Sequence, residues 1–597
     1  MANSISLANG ELYVGLDEFG LVNKLQFPYI GHEDHLPNSR HKIGVWADGQ
    51  ISWLDDGSWT HRSRYPVGAL VGHTVMTNDT IGVVLEFEDT VEADANVLIR
   101  NVHVINIRDH QRNIRLFFHQ GFNIGQYSDK DTAQFVPKHS AIVHYRGRLA
   151  FAIGGMTDVG QSADQHAIGL FGQGLDGTWR DAEDGQLSMA SAECGQTDST
   201  IGFSLTIGGL SSRRVHYWLV ASTSVRAALG SFKSLQKQGV YKRLSSTIDH
   251  WSKHFTPVFK ASEQCQPAYR KSLIDSSVRL YSHIDRRGAI ISDVSRRSHS
   301  VCDPEVGALA IWPLIRLGYK QEAMNYFSYV RQLVGEDGYL SLAYKADGSL
   351  ASTRLPYDDK YGPIDSSQTA INLFVFTQMS ALNKRMKLLD DLYPTLVSPM
   401  ANFLSEFVDD QGLPNVSYEY PSDRKSSTLY TAAVTYAALY AAADMADSKK
   451  LQDDAIRWRT AANTLRESAQ VFVGERGVLG RSLDDDSSDI SGLYGAFMFG
   501  LFDIDHPAIA KTVKEIEQNH LSGTDGMFYD RRGRIDYVGS LRMAQYYIET
   551  SQQDKAESII RLVSRVMTSN VAMSHESMST QTYAEYISTL LDMISGK

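Results

Sequence analysis

The sequence predicts an antiparallel β-sandwich followed by an (α/α)6 toroid barrel, a double layer of paired helices, with the boundary near residue 255. Three observations predict this. From Leu7 to about Thr223, apolar residues recur with period two in short runs rich in β-branched and aromatic side chains. Near Val225 the spacing changes to three and four. From about Gln266 to the end, roughly twelve helical segments follow one another in neighbouring pairs.

The strands read most clearly in Gly82-Val83-Val84-Leu85-Glu86-Phe87-Glu88, Val102-His103-Val104-Ile105-Asn106-Ile107 and Arg115-Leu116-Phe117-Phe118-His119, separated by Asp, Gly and Asn turns. Residues 225–254 read as helical, and Phe255-Thr256-Pro257-Val258-Phe259 as an extended connector, which sets the domains at 1–255 and 256–597. Beyond it, 305–318 pairs with 320–334, 366–382 with 385–408, and 428–446 with 450–471, each with one apolar face. Small residues over Thr431-Ala432-Ala433-Val434-Thr435-Tyr436-Ala437-Ala438 permit the close helix contacts of a toroid. In a toroid of six pairs a pocket opens at one end of the axis. The loops at 337–364, 411–427, 523–537 and 570–580 are its expected walls.

At 597 residues the chain suits two large domains, and 43% hydrophobic with 21% charged residues is ordinary for a water-soluble globular protein. The opening Met1-Ala2-Asn3-Ser4-Ile5-Ser6-Leu7 has neither the cationic nor the apolar region of a secretory signal, and no apolar run approaches the ~20 residues of a membrane span. Cys194, Cys265 and Cys302 are odd in number, far apart and without metal-ligand spacing, as expected of structural thiols in the reducing cytoplasm. A net charge of −11 without a basic cluster argues against nucleic-acid binding. No Cys/His cluster or glycine-rich phosphate loop occurs, so no metal, nucleotide or other cofactor is expected.

Several stretches resemble glycoside hydrolase family 15, the glucoamylase-like enzymes, and especially their archaeal and bacterial branch. They are Lys42-Ile43-Gly44-Val45-Trp46-Ala47-Asp48-Gly49 with Trp53, the strand Ile99-Arg100-Asn101-Val102-His103-Val104-Ile105-Asn106, Arg115-Leu116-Phe117-Phe118-His119-Gln120, and Gly338-Tyr339-Leu340 followed by Lys345-Ala346-Asp347-Gly348-Ser349-Leu350-Ala351-Ser352. The resemblance runs over nearly the whole chain. It implies inverting glycosidase chemistry, in which one carboxylic acid protonates the leaving oxygen while a second carboxylate activates water across the ring.

The chemistry-bearing positions depart from that pattern. The family's sugar clamp, Trp-Pro-Arg-Asp, corresponds to Asp303-Pro304-Glu305-Val306, and a glutamate cannot replace arginine's forked donors. Asp303 and Glu305 are substrate-binding candidates there, or equally a helix cap and a first-turn acid. The acid-bearing Ser-Tyr-Asp-Leu-Trp-Glu-Glu-Arg corresponds to Ser417-Tyr418-Glu419-Tyr420-Pro421-Ser422-Asp423-Arg424, so the acid position falls on Ser422. Asp423 or Glu419 would then have to serve as acid, with Tyr418, Tyr420 and Arg424 binding substrate. Gln-Glu-Asp-Glu-Thr-Ala becomes Asp365-Ser366-Ser367-Gln368-Thr369-Ala370, which offers Asp365 and Gln368 as further contacts. Glu576, in Ser574-His575-Glu576-Ser577, matches the general base, or supplies a dipole charge before the last helix.

Tyr339, Tyr344, Tyr357, Tyr361, Tyr418 and Tyr420 lie in the expected mouth loops, where tyrosine rings can stack on sugar C–H faces. With 29 tyrosines in the chain, packing explains many of them equally well. Trp46, Trp53 and Trp59 are expected in the core or at the domain interface. The expected function is that of a carbohydrate-active protein taking α-glucosides or another small saccharide. The alternatives are an enzyme of changed specificity and a non-hydrolytic binding or regulatory protein, a use that the similar domain in phosphorylase kinase regulatory subunits illustrates. The expected partner is a saccharide, with no nucleic acid and no membrane.

Overall fold

The period-two runs pair into three antiparallel sheets in the computed structural model, which describes all residues except 1–3, 37–40, 67–68, 127–129, 173, 295–299, 352–362, 383–390, 421, 423, 524, 569–577 and 597. A nine-stranded sheet runs in the order Ala192–Gly195, Asp131–Val136, Ala141–Arg146, Leu149–Thr157, Ser212–Ser222, Val97–Asn106, Val83–Val91, Val71–Asn78, Thr60–Arg64. A five-stranded sheet is centred on Arg112–Gly121, between Thr197–Ile207 and Lys42–Ala47. A four-stranded sheet holds Ile5–Ala8 to His32–Asp34.

The alternation of side chains explains how these layers stack. Leu98, Val102, Val104, Tyr217 and Leu219 belong to the main core, where Phe118 of the five-stranded sheet stacks on Tyr217 at 4.6 Å. Val97, Ile99, Trp218 and Val220, on the opposite face of the same strands, meet Ala228, Phe232 and Leu235 of helix α1 (Val225–Gln238). Arg100 interrupts one apolar run and is buried with Asp89, at 2.8 Å and 3.0 Å, with a further bond to the Gly20 carbonyl.

The expected extended connector is helical. After α1 the chain breaks at Gly239, whose φ of 87° suits glycine, and continues as α2 (Val240–His254) and α3 (Thr256–Gln264). Pro257 lies in the first turn of α3, where its missing N–H removes no helical hydrogen bond, and the buried Phe255 and Val258 fasten the segment.

The helical half is a closed double ring. Among the described residues its helices are α4 (Arg270–Tyr281), α5 (Pro304–Leu317), α6 (Lys320–Leu333), α7 (Ser366–Leu382), α8 (Ser398–Glu406), α9 (Leu429–Ser448), α10 (Gln452–Ser468), α11 (Ile490–Met498), α12 (Pro507–His520), α13 (Tyr537–Glu549), α14 (Gln553–Thr568) and α15 (Thr580–Ser595). Helices α5, α7, α9, α11, α13 and α15 pack in that order, and α15 returns to α5. The others flank this inner ring from outside, α4 against α15 and α10 against α9. Inner helices are buried nearly all round, which is why α9 is so rich in alanine. The two halves share one core and are stitched by Arg286 N to the Gly10 carbonyl (2.8 Å) and Lys24 Nζ to the Val294 carbonyl (2.9 Å). Among the described residues no helix is long and apolar enough to cross a membrane.

Candidate active site

The inner helices begin at the same end of the barrel, and the first turns of α5, α7, α9 and α11, together with the loops between helices, supply the polar wall of a pocket of ≈ 560 Å³. Local capping chemistry places these residues. Asp303 caps α5, accepting from Glu305 N at 2.9 Å and Val306 N at 3.3 Å, which turns the Glu305 side chain toward the cavity. Asp365 opens α7: Oδ1 accepts from Ser367 N (3.0 Å) and Ser367 Oγ (2.6 Å), and Oδ2 from Tyr420 N (3.1 Å). Thr428 caps α9 and Asp489 caps α11. A two-residue ladder, Ser417–Tyr418 with Lys425–Ser426, holds the loop that carries Tyr418, Glu419, Tyr420 and Ser422 over the pocket.

Three carboxyl groups share the α5–α7 side. Burial, followed by the charge of Glu305, pushes Asp303 up to about 8 and Asp365 up to about 7. Burial also raises Glu305, against the pull of Arg542. Asp303 and Asp365 therefore hold a proton near neutrality, as a general acid must. Ser367 Oγ reaches Glu305 Oε2 at 3.4 Å, and the Tyr430 hydroxyl lies against Glu305 without good hydrogen-bond geometry.

The opposite wall is ionic. Glu419 accepts from Ser426 Oγ at 2.6 Å on Oε1, meets Arg424 at 3.5 Å, and pairs through Oε2 with Arg481. Arg481 also bonds Asp489 at 3.0 Å. Arg534 is taken by Asp530 at 2.7 Å. Arg542 is fixed by Glu585 (3.0 Å) and Ser491 (3.2 Å). A second hollow of ≈ 380 Å³ adjoins through Arg481, Asp489 and Ser491, with Arg424, His520, Tyr529 and Arg531 on its walls.

Of the residues singled out in the sequence, Glu305, Asp365, Tyr418, Glu419 and Tyr420 line the pocket, Asp303 stands just behind Glu305, and Arg424 lines the adjoining hollow. Gln368 donates to Asp303 (3.4 Å) and to the Leu342 carbonyl (3.1 Å) behind the wall. Tyr339 packs on Phe403 at 5.4 Å, and Tyr344 is buried; neither is among the lining residues. Asp423, Glu576, Tyr357 and Tyr361 lie outside the described residues.

Sequence reading missed Arg481, Asp489, Tyr430 and Arg542. A signal existed for two of them. Asp489 precedes Ile490-Ser491-Gly492 as a helix cap, and Arg542 is a charge in the middle of an otherwise uncharged helical stretch from Tyr537 to Ile548. Among the described residues, no group of three or more His, Cys, Asp or Glu could hold a metal ion.

No family model matches the chain. It is 23% identical over 535 residues to an uncharacterized glycosyl hydrolase of Methanocaldococcus jannaschii, covering 86% of this chain and 81% of that protein. Its fold is similar to the crystal structure of a bacterial glucoamylase complexed with acarbose, with a TM-score of 0.78 at 14% identity over 100% of this chain and 94% of that one. A putative kojibiose phosphorylase from the human microbiome is also similar, with a TM-score of 0.56 at 7% identity over 98% and 86%.

Proposed function

We propose that this chain is a carbohydrate-active enzyme that cleaves the glycosidic bond of a small saccharide or glycoside in the pocket at the N-terminal ends of the inner helices. The observation that carries the reading is the division of charge in that pocket. One wall holds Asp365, which burial and the neighbouring Glu305 push up to about 7, and the other holds Glu419 and Asp489 paired with arginines. A proton donor has to be neutral before it acts, and Asp365, pushed up to about 7, meets that condition, whereas both oxygens of Glu419 are occupied by Arg424, Arg481 and Ser426.

In this reading Asp365, coupled to Glu305, protonates the glycosidic oxygen as the C–O bond breaks. Glu576 takes a proton from the water that adds to the anomeric carbon from the other face, so the product is released with inverted configuration. Tyr418 and Tyr420 border the sugar. The fold likeness to a glucoamylase and the relative described as a glycosyl hydrolase support the choice of substrate class.

A second reading, binding without hydrolysis, is favoured by one observation. Ser422 carries a hydroxyl where the resemblance calls for the acid, and it is spent in a turn, its Oγ accepting from Arg424 N at 3.0 Å. Purified protein offered nitrophenyl glycosides and disaccharides distinguishes the two readings. Release of sugar supports the enzyme, binding without release supports the second reading, and neither binding nor release removes both.

A further inference from the structure

Ser367 has one hydroxyl hydrogen and two carboxyl groups to serve. It lies in the first turn of α7 and is 2% exposed. Its Oγ stands 2.6 Å from Asp365 Oδ1 and 3.4 Å from Glu305 Oε2, and its backbone N–H is already given to Asp365 Oδ1 at 3.0 Å. A hydroxyl buried this deeply has to find its partners within the protein. Among the described residues it has these two oxygens, one at the start of α7 and the other on α5.

That geometry restricts the charge the three groups can carry. A hydroxyl donates one hydrogen bond and accepts up to two. If both carboxyls are ionised, only one of them receives the hydrogen and the other faces a bare oxygen. If one is protonated, the hydroxyl donates to the carboxylate and accepts from the acid, and all three groups are satisfied at once. The groups facing the pair decide which one is charged. Against burial, which favours the acid, Arg542 on α13 and the Tyr430 hydroxyl on α9 favour the carboxylate of Glu305, and Glu585 on α15 opposes it. Asp303, behind Glu305, keeps its own proton, with burial and the charge of Glu305 pushing it up to about 8. Tyr420 on the loop offers Asp365 its backbone N–H.

We propose that Ser367 is a positioning residue that couples Asp365 to Glu305, its hydroxyl donating to whichever carboxyl is ionised and accepting from the one that holds the proton. In the resting pocket Asp365 holds it and Glu305 is the carboxylate. As the proton leaves for the glycosidic oxygen, the hydroxyl turns from Glu305 to Asp365 and meets the new charge. This rests on the proposed function, because it adds a partner to the acid assigned there.

The test is the direction in which the Asp365 carboxyl moves. Its titration is followed by ¹³C NMR in the full chain labelled at aspartate side-chain carboxyls, with the Asp365 signal identified by its loss in Asp365→Asn. A hydroxyl that only donates to Asp365 favours the carboxylate, so removing it would raise the pKa. A hydroxyl shared with Glu305 favours the state with one proton, so Ser367→Ala should lower the pKa of Asp365 by about 0.5 to 1, the worth of one hydrogen bond. In the Glu305→Gln background, where the second charge is gone, that fall should vanish or reverse. A pKa that rises or stays put in Ser367→Ala overturns the coupling and leaves the proposed function standing. A fall that persists in the Glu305→Gln background shows that Ser367 acts without Glu305, and overturns it too. The expected titration in a protein that hydrolyses no glycoside supports the coupling and removes the acid role. Circular-dichroism melts verify the fold. If Ser367→Ala does not fold, Ser367→Cys, a weaker donor of similar size, decides by the same directions.

Discussion

Asp365 holds three hydrogen bonds and, near neutral pH, a proton, so one side chain both ties the loop at Tyr420 to α7 and stands ready as an acid. Asp365→Asn keeps the size and removes the proton. Turnover should fall by ~10²- to 10⁴-fold, as read from kcat. A variant as active as wild type would return the role to Asp423 or Glu419. Glu576→Gln should likewise abolish turnover and leave binding largely intact, and undiminished turnover would remove the base assignment. The sequence made Asp303, Glu305 and Asp365 visible because each sits in a recognisable helix-opening segment. Their raised pKa values were not visible, because these come from burial against one another across residues far apart in the chain. Arg481 and Arg542 stayed hidden for the same reason: the ring must close before Arg481 meets Glu419, or Arg542 meets Glu585.

Strands and helices were legible where a single period dominated. The run from Val97 to Asn106 was harder to assign to faces, because α1 covers the side that would otherwise face solvent, so both sides are apolar. The segment at Phe255 misled because aromatic and β-branched residues around a proline look extended, whereas Pro257 at a helix start is equally well placed. Arg100 shows what holds the sandwich in register, since it spans to Asp89 on the neighbouring strand. Asp89→Ala leaves a buried guanidinium unpaired and should cost about 3 to 5 kcal/mol in denaturant unfolding. The double variant Arg100→Met/Asp89→Leu should recover much of that loss. Equal losses in both variants would show that the pair acts by packing alone.

At the scale of the whole molecule, two buried populations give stability an optimum in pH. Burial lowers His35, His216, His254 and His283 to about 4 and His144 to about 3, against an ordinary value of 6.5. Between roughly pH 6.5 and 4 the unfolded chain therefore binds more protons at these sites, and stability falls as pH falls. Asp285, Asp303 and Asp365 have the opposite sign, because their raised values of about 6, 8 and 7 mean that the folded state holds the extra proton. Their contribution is fully present below about pH 4 and is lost as pH rises through those values. Above pH 6.5 the histidine contribution is constant, so Tm should decline toward pH 8. Asp303→Asn keeps the cap of α5 and should flatten that decline while changing Tm little at pH 5. A decline of unchanged slope would place its origin elsewhere.

The pocket itself was legible only as a place. A toroid of six pairs puts a cavity at one end of its axis, and the inner-helix N-termini meet there, but the sorting of charges between the two walls exists only in the assembled ring. The measurement that tests this account most directly is proton NMR of the sugar released from nitrophenyl glycosides and disaccharides by wild type and by Asp365→Asn. The account predicts release by wild type with the anomeric configuration inverted, and a loss of at least about 10²-fold in the variant. Release at the same rate from both proteins, or a product of retained configuration, would contradict it.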